Sequence, residues 1–572
     1  MSWASDAWAA EPVLDPPPGS TAPDLPAGAF DARLGGGLVW IADVEAARDG
    51  GTAAQAGSAH AQDAHGADLE VFAPAGGGET IRVSDRGWRG RDADPGGAVP
   101  YFPVLLDGPD IERRVALAPG GVDSYAWGSM RLAAPGALPN ASLAGRDTAL
   151  RRVRIRVGQL GWDPRRGIST DPPAAQMVEA FLGLAMTWQP RDDGAEIPLR
   201  DPTAWLDAPI GVRRFLGTGG AEGPAELAGV PFPIVRGGTP GAPVRSIPVT
   251  LVNAAARVYR WTDGPGSLQQ VYEDGAPVYT NAGAAADVFA SSPGPGAFVF
   301  DGTGQFRLGS DPAGTVTVDG AGGSGPLLAT VLRDLLMTTL ALPAGLLDEG
   351  SVIATAAAVP FSGGWAWTGQ ETAREAIRPL LAGLGARLVA SRGGGLRLLP
   401  LRAPAANARP VARIDPRTAI SATPVPLGAP LTPPAAAWSI GYARTHVTTT
   451  TPKPTVSAAE RERLAKPYRV AAWSDVANLT RYAQASRPDL VETALIAQAD
   501  AQALANAVGA LWGVPRQLWQ VSAPVASVLL RDLGEIVTLE WPADGLRGGA
   551  LGRIVGDSVR AGDSAASLLI LV

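Results

Sequence analysis

The chain has 572 residues, of which 46% are hydrophobic and 18% charged, so it is long enough for several packed domains and is not disordered as a whole. Its formal net charge of −7 argues against a nucleic-acid grip along the whole chain, and its lack of cysteine excludes disulfides, zinc–thiolate sites and thiol catalysis. The 71 glycines and 52 prolines interrupt hydrophobic runs, which favours many short strands over long helices.

Basic residues are almost all arginine, because lysine occurs only at Lys453 and Lys466. We attribute this bias mainly to GC-rich coding. The chain begins without a basic, apolar leader, so we expect no secretory signal. No apolar run reaches 18 residues, so we expect no membrane-spanning helix.

Residues 1–35 are rich in Pro, Ala and Asp, and this composition predicts a flexible N-terminal arm. An extended strand that docks on a neighbouring subunit is the alternative. Residues 36–216 are expected to form a β-barrel-like domain. Its strands are predicted at 38–42, 69–72, 81–88 and 101–106, with a loop or short helix over 45–66 and further strands over 178–188.

The most regular strand pattern lies at 151–157, which reads RRVRIRV. Val153, Ile155 and Val157 alternate with three arginines, so the two sets face opposite sides of a strand. The arginines could contact DNA, an acidic neighbouring subunit or water. A solvated face is the simplest of these interpretations.

Residues 217–325 are predicted to hold a Gly/Pro-rich connecting loop, over 217–241, followed by a module of β-hairpins. In the module, short alternating segments are separated by Asp263-Gly264, Asp274-Gly275 and Ser310-Asp311-Pro312. Asp-Gly pairs between alternating segments are typical of hairpin turns with positive φ.

Residues 326–405 are predicted to form a small α+β domain. Apolar residues spaced by three and four predict a helix of about 14 residues from Leu327, with Ser324 near its start. A second helix is expected over 369–384, capped by Thr368 and ended by Gly385. A hairpin over 386–399 follows.

Residues 406–572 are expected to form a C-terminal β-barrel-like domain with an inserted long helix. The stretch before 434 reads as a Pro/Ala linker, and the helix is predicted over 488–511. The remaining segments are predicted strands: 438–442, 518–521, 525–529, 535–539, 552–555 and 568–572.

A metal site can be considered at His60, Asp63, His65 and Asp68, which lie close together in a Gly/Ala-rich stretch. Their spacing matches no catalytic metal signature, so a solvated polar loop is the better interpretation. The third histidine, His446, stands apart from them.

Two acidic pairs, Asp192-Asp193 and Asp348-Glu349, could serve acid–base catalysis on a sugar only if a cleft held them at a defined separation. We expect them to be turn residues. Trp365 and Trp367 could form a sugar-binding platform, although packing in a core or interface is the more ordinary use of tryptophan. The sequence contains neither a nucleophile elbow nor a phosphate-binding loop of the Walker type. We therefore predict no catalytic, cofactor-binding or metal-binding residues.

Several segments together resemble the tail proteins of long-tailed phages, prophages and gene-transfer-agent particles, specifically the baseplate hub or tail-tip family. The resemblance extends from about Ile81 to the C-terminus. It rests on these segments: 81–88 (IRVSDRGW), 127–132 (WGSMRL), 200–207 (RDPTAWLD), 219–223 (GGAEG), 227–233 (LAGVPFP), 252–272 and 306–309 (FRLG).

The resemblance implies a mainly β, multi-domain fold, with β-barrel or sandwich hub domains and smaller α+β insertions. It also implies a structural virion protein at the distal end of the tail, assembled in the bacterial host cytoplasm. Such a protein forms a homotrimeric hub or tail-tip ring that connects the tail tube to receptor-binding components. Its expected partners are the distal tail protein, the tail tube and tip or fibre proteins, with transient passage of DNA and no cofactor. The alternative is a tail-associated receptor-binding protein that binds or cleaves carbohydrate or peptidoglycan.

Overall fold

A computed structural model describes residues 38–48 and 79–572, apart from short gaps at 93, 95–96, 119, 124, 135–142, 144, 164, 167, 324, 406, 429–430 and 483. The fold is mainly β and multi-domain, which confirms the expected class. The predicted arm over 1–35, the strand over 69–72 and the histidine-containing loop lie outside the described residues.

The first and largest sheet has 11 strands among the described residues. Its longest strands, β1 (Leu38–Arg48) and β9 (Arg151–Gln159), pair antiparallel at its centre. One of its faces packs into the main core, and the other carries charged side chains. A separate two-stranded ribbon follows β9. The strands of the large sheet are β1 (Leu38–Arg48), β2 (Glu79–Ser84), β3 (Trp88–Arg89), β4 (Pro100–Pro103), β5 (Leu105–Asp107), β7 (Ser129–Ala133), β8 (Arg146–Asp147), β9 (Arg151–Gln159), β12 (Val178–Ala185), β13 (Gln189–Arg191) and β14 (Gly194–Arg200), and those of the ribbon are β10 (Gly161–Asp163) and β11 (Ile168–Thr170).

Two five-stranded sheets enclose the fully buried Trp261 in the hairpin module. Asp274 and Gly275 have φ values of 47° and 77°, the left-handed conformation that the Asp-Gly pair predicts for a hairpin turn. The prediction of a connecting loop over 217–241 is wrong near its end. A buried strand, β15 (Ile234–Gly237), lies there and pairs with β24 (Gly364–Trp367). The strands are β15 (Ile234–Gly237), β16 (Val244–Pro248), β19 (Gly266–Glu273), β23 (Val316–Gly322) and β24 (Gly364–Trp367) in one sheet and β17 (Thr250–Asn253), β18 (Val258–Arg260), β20 (Thr280–Ala284), β21 (Ala297–Phe300) and β22 (Gln305–Leu308) in the other.

The α+β region holds three helices and one hairpin. Helix α1 continues into a π-helical turn over Leu335–Thr339, close to the predicted length. The helix that ends at Gly385 was predicted to be capped by Thr368, but its cap is Thr372, four residues later in the chain. The Thr372 hydroxyl and the Glu375 carboxylate form a capping box there. Helix α2 (Glu349–Ala358), which the Asp348 side chain caps, was not predicted from the sequence. The elements are α1 (Leu328–Asp334), α2 (Glu349–Ala358), α3 (Ala373–Leu384), β25 (Ala386–Ala390) and β26 (Leu396–Pro400).

The C-terminal region combines a seven-stranded sheet with a three-stranded sheet covered by the longest helix, α6. This helix begins at Gln498 rather than 488, because Val491 pairs with Ile440 in the three-stranded sheet. The elements are β6 (Asp110–Arg114), β27 (Ala412–Ile414), β28 (Ser421–Val425), β32 (Leu518–Pro524), α7 (Val525–Leu529), β33 (Ile536–Leu539), β34 (Ala550–Arg560) and β35 (Ala565–Leu571) around the first sheet and β29 (Ala437–Tyr442), α4 (Ala458–Leu464), β30 (Arg469–Ser474), α5 (Val476–Arg481), β31 (Val491–Glu492) and α6 (Gln498–Trp512) around the second.

The predicted strand over 525–529 is wrong, since α7 occupies that position. Pro524 precedes the helix, and Val525, Val528 and Leu529 follow at the spacing of one helical face. All three apolar side chains are buried. A five-residue apolar run can fit either structure, and here packing against the sheet selects the helix.

Strand β6 links the two ends of the chain. It lies between β5 and β7 in sequence but pairs antiparallel with β34 in the C-terminal sheet. In this pairing Arg113 stands directly opposite Asp557. One strand of the N-terminal region is therefore built into the C-terminal sheet.

Candidate functional site

The arginines of β9 lie on the charged face of the large sheet, as the alternation predicts. Val153, Ile155 and Val157 are fully buried in the core on the opposite side. We call Arg152, Arg154 and Arg156 the arginine face.

Two of these arginines are held by acidic neighbours. Arg154 donates two hydrogen bonds to Glu179, at 2.7 and 3.0 Å, and this carboxylate raises the pKa of Arg154. Arg156 donates through Nη2 to both Asp43 Oδ2 and Tyr101 Oη, each at 2.9 Å. The Tyr101 hydroxyl also donates to Asp43 at 2.7 Å, and burial together with the Asp43 charge raises the pKa of Tyr101 to about 12. These contacts fix the orientation of both guanidinium groups.

Arg152 differs from the other two because its side chain is exposed and forms no ion pair with any described residue. Across the β1–β9 pairing, Asp43 stands opposite Arg154, and Glu45 follows two residues further along β1. Both acids lie on the charged face, since β1 alternates in the same way. The surface is therefore a mixed array of acids and bases with one arginine free to bind a partner.

A cavity of about 340 Å³ opens on this face. Trp88 and Tyr101 cover the neighbouring part of the sheet, with their rings edge to face at 5.2 Å, and the Trp88 indole donates to the Pro172 carbonyl at 3.0 Å. This rigid aromatic pair forms one wall of the cavity. The residues that line the cavity are Asp43, Glu45, Thr80, Arg82, Trp88, Asp94, Gly97, Val99, Tyr101, Arg152, Arg154, Arg156 and Ala174.

The other residues considered from the sequence have different environments. His60, Asp63, His65 and Asp68 lie outside the described residues. His446 packs edge to face on Trp365 at 5.1 Å, and its Nε2 is buried without a hydrogen-bond partner in the described part of the chain. Within the described ranges, no three His, Asp or Glu side chains are grouped so that they could hold a metal ion.

The acidic pairs stand at local structural positions. Asp192 and Asp193 form the turn between β13 and β14, and Asp193 accepts a hydrogen bond from Arg131 at 2.6 Å. Asp348 caps α2, while Glu349 in its first turn pairs with Arg333 at 2.7 Å. Asp192-Asp193 are turn residues as predicted, whereas the other pair marks the start of a helix.

The two tryptophans of the proposed sugar platform are buried. The Arg444 guanidinium lies 4.4 Å from the Trp365 ring centroid, and His446 covers part of the same ring. Trp367 donates to the Ala376 carbonyl at 3.1 Å. Their faces are used for packing, which agrees with the interpretation of core or interface residues. Within the described part of the chain, no helix is long and apolar enough to cross a membrane.

A buried group of ion pairs at the β6–β34 junction is absent from the sequence analysis. Arg113 and Asp557 are both fully buried in their side chains and are joined by two hydrogen bonds. Arg113 also donates to Asp532 at 2.7 Å, and Arg392 donates to Asp557 at 2.7 Å. Burial alone would lower the pKa of Arg113, but the Asp557 and Asp532 carboxylates outweigh it and raise the pKa. The alternating sequence DIERR in β6 indicates a strand, yet nothing in it identifies partners more than 400 residues away.

No family model matches the chain, and no curated protein does. Solved structures give matches. A tail protein from Neisseria meningitidis MC58 aligns over 84% of this chain and 94% of its own, at 11% identity and a TM-score of 0.33. A chain in the virion of a native gene transfer agent particle aligns over 60% of this chain and 84% of its own, at 14% identity and a TM-score of 0.34.

The 43 kDa tail protein of prophage MuSo2 from Shewanella oneidensis aligns over 82% of this chain and 93% of its own, at 10% identity and a TM-score of 0.30. With TM-scores below 0.5, these matches do not extend to the positions of individual residues. The chain is similar to phage tail proteins, the type of protein that its sequence resembles.

Proposed function

We propose that this protein is a structural component of the tail of a long-tailed phage or phage-like particle. In the proposal it assembles as a homotrimeric hub or tail-tip ring of the baseplate, at the distal end of the tail. It connects the tail tube to receptor-binding components and lines the path of DNA exit during genome ejection. Its neighbours are the distal tail protein, the tail tube and tip or fibre proteins.

The observation that carries this proposal is the strand β6 built into the C-terminal sheet. Its pairing with β34 and the buried Arg113–Asp557 contact join segments that are 444 residues apart. Breaking such a contact would leave buried charges without a counter-charge, so we expect the β6 segment and the C-terminal sheet to move as one body. A rigid body of this kind suits a protein that transmits force between layers of an assembly.

The arginine face supports the same proposal as a subunit contact. A surface of alternating acids and bases provides electrostatic complementarity, which selects partners and fixes their register. Arg152 forms no ion pair with a described residue, so its exposed side chain can pair with an acidic group of a neighbouring subunit. The proposal also includes the division of the chain into five parts. These are an arm (1–35), a hub domain (36–216), a hairpin module (217–325), an α+β domain (326–405) and a C-terminal domain (406–572).

The direct test is the mass of the purified protein in solution, measured by light scattering and accompanied by negative-stain images. We expect a closed ring with three times the 58.6 kDa mass of one chain and a central opening. A monomer that also fails to join purified tail-tube and distal tail proteins would contradict the hub assignment. A trimer without a central opening would contradict the DNA path while leaving the assembly role.

A further inference from the structure

A loop over 531–535 connects α7 to β33 beside the β6–β34 junction. Three arginines from outside the loop donate hydrogen bonds to its backbone carbonyl groups. Asp532, within the loop, also accepts from Arg113. The three contacts are Arg392 to the Arg531 carbonyl at 3.3 Å, Arg397 to the Leu533 carbonyl, and Arg553 to the Gly534 carbonyl at 2.9 Å.

Positive charge exceeds negative charge around this loop. The loop and its contacts bring together five arginines but only three carboxylates, which leaves an excess of two positive charges. Because charges removed from water are costly without a counter-charge, such an excess calls for additional anionic groups. The arginines are Arg113, Arg392, Arg397, Arg531 and Arg553, and the carboxylates are Asp532, Glu535 and Asp557.

Several donors of these arginines remain unused. Arg392 has a side chain only 6% exposed, and its Nη1 has no hydrogen-bond partner among the described residues. The Nε groups of Arg397 and Arg553 are also buried without a partner in the described part of the chain. Burial and the neighbouring charge of Arg397 lower the pKa of Arg553 to about 10, as expected for a cation without a full counter-charge.

We propose that Arg392, Arg397 and Arg553 form a binding site for an oxyanion of the phosphate class. A tetrahedral oxyanion offers several acceptor oxygens, and guanidinium groups present donors in a planar fork that matches them. The Arg397 side chain is 26% exposed, so the cluster borders solvent at this residue. The bound anion would supply the missing negative charge and hold the 531–535 loop against β26 and β34. This inference does not depend on the assembly proposed above.

The test is a titration of the full-length protein with inorganic phosphate, with chloride replaced so that ionic strength stays constant. We expect a saturable rise in the temperature of unfolding, because a ligand that binds the folded state stabilises it by mass action. Titration calorimetry of the unmodified protein should show binding of one phosphate per chain. Sulfate should compete for the same site.

The matched variants are Arg397→Gln with Arg553→Gln, and Arg131→Gln as a control at an exposed ion pair. The double variant should lose the saturable response, whereas the control should keep it. If phosphate raises the temperature of unfolding of the double variant by the same amount, the proposed site is wrong. A rise without saturation in all three proteins would show only a general salt effect and would also overturn the site. If the double variant does not fold, the absence of phosphate binding to the unmodified protein in calorimetry would overturn it instead.

Discussion

Replacement of Arg113 with methionine tests the buried junction directly. Methionine retains the packing of the aliphatic stem of arginine, while it removes the guanidinium group. The variant loses the hydrogen bonds to Asp557 and to Asp532, and also the 3.3 Å contact with the Ala390 carbonyl. Asp557 then keeps only Arg392 as a counter-charge at this junction.

The expected loss can be estimated from the burial of the pair. Removing one partner of a buried ion pair typically costs about 3–5 kcal/mol, because the remaining charge stays out of water. Since Arg392 still neutralises Asp557, we expect the lower end, about 3 kcal/mol. The same change at Arg131, whose side chain is 42% exposed, should cost less than about 1 kcal/mol. Asp557→Asn combined with Arg113→Met should cost less than the sum of the two single changes, because the two residues share one interaction.

The assay is hydrogen exchange followed by mass spectrometry on the peptides that contain β6 and β34, in buffer without multivalent anions. A local readout is needed because a chain of several domains does not unfold in a single two-state step. A loss of about 3 kcal/mol corresponds to exchange that is roughly 100-fold faster at these amides. If Arg113→Met exchanges at the same rate as Arg131→Met, the junction does not hold the two ends of the chain together, and the argument from rigidity fails.

Three further changes test other parts of the structure. Burial of His446, and then the charge of Arg444, lowers the pKa of His446 to about 3, so the stability it contributes is present above pH 6.5 and lost as pH falls towards 3. At pH 5 the unmodified protein should lose about 2 kcal/mol that His446→Phe retains, as measured by hydrogen exchange of the peptide around residue 446 at both pH values, corrected for the intrinsic exchange rates. A Cβ on Gly320 would lie 2.5 Å from the buried Trp261 ring, so Gly320→Ala should destabilise the hairpin module by about 1–3 kcal/mol. If the near-ultraviolet circular dichroism spectrum and the melting temperature of the variant are both unchanged, the packing around Trp261 is not as tight as the structure indicates. Arg152→Glu should weaken the proposed trimer at least tenfold in sedimentation, whereas Arg417→Glu, at another exposed arginine, should leave it intact.

Elements fixed by local pattern could be predicted from the sequence. The alternation of β9 places three valine and isoleucine side chains in the core, and the Asp274-Gly275 pair forms the hairpin turn that its positive φ values require. Helix α3 ends at Gly385 in the left-handed conformation, as expected. In each of these segments, the information lies within a few residues of the chain.

Elements that depend on distant partners could not be predicted. The segment before α6 has a helical pattern, but Val491 becomes part of a strand because Ile440 is available beside it. The same holds for Arg113, whose role depends on Asp557 in a strand near the opposite end of the chain. Neither the sequence around Arg113 nor the sequence around Asp557 indicates that the two residues pair, since charged residues in an alternating strand are usually solvated. The buried junction was therefore missed, whereas the alternating arginines of β9 were identified.

The preference for arginine over lysine, which coding bias can explain, has a physical consequence in this fold. Among the described residues, six buried or half-buried arginines bind a carboxylate through two nitrogen atoms at once. A lysine would keep the charge but could offer only a single point of contact, without the planar fork. Five of these contacts connect segments that lie 25 to 444 residues apart, so the arginine content contributes to the rigidity on which the proposed role depends. The pairs are Arg113–Asp557, Arg146–Glu79, Arg154–Glu179, Arg236–Asp263, Arg387–Asp123 and Arg463–Glu460.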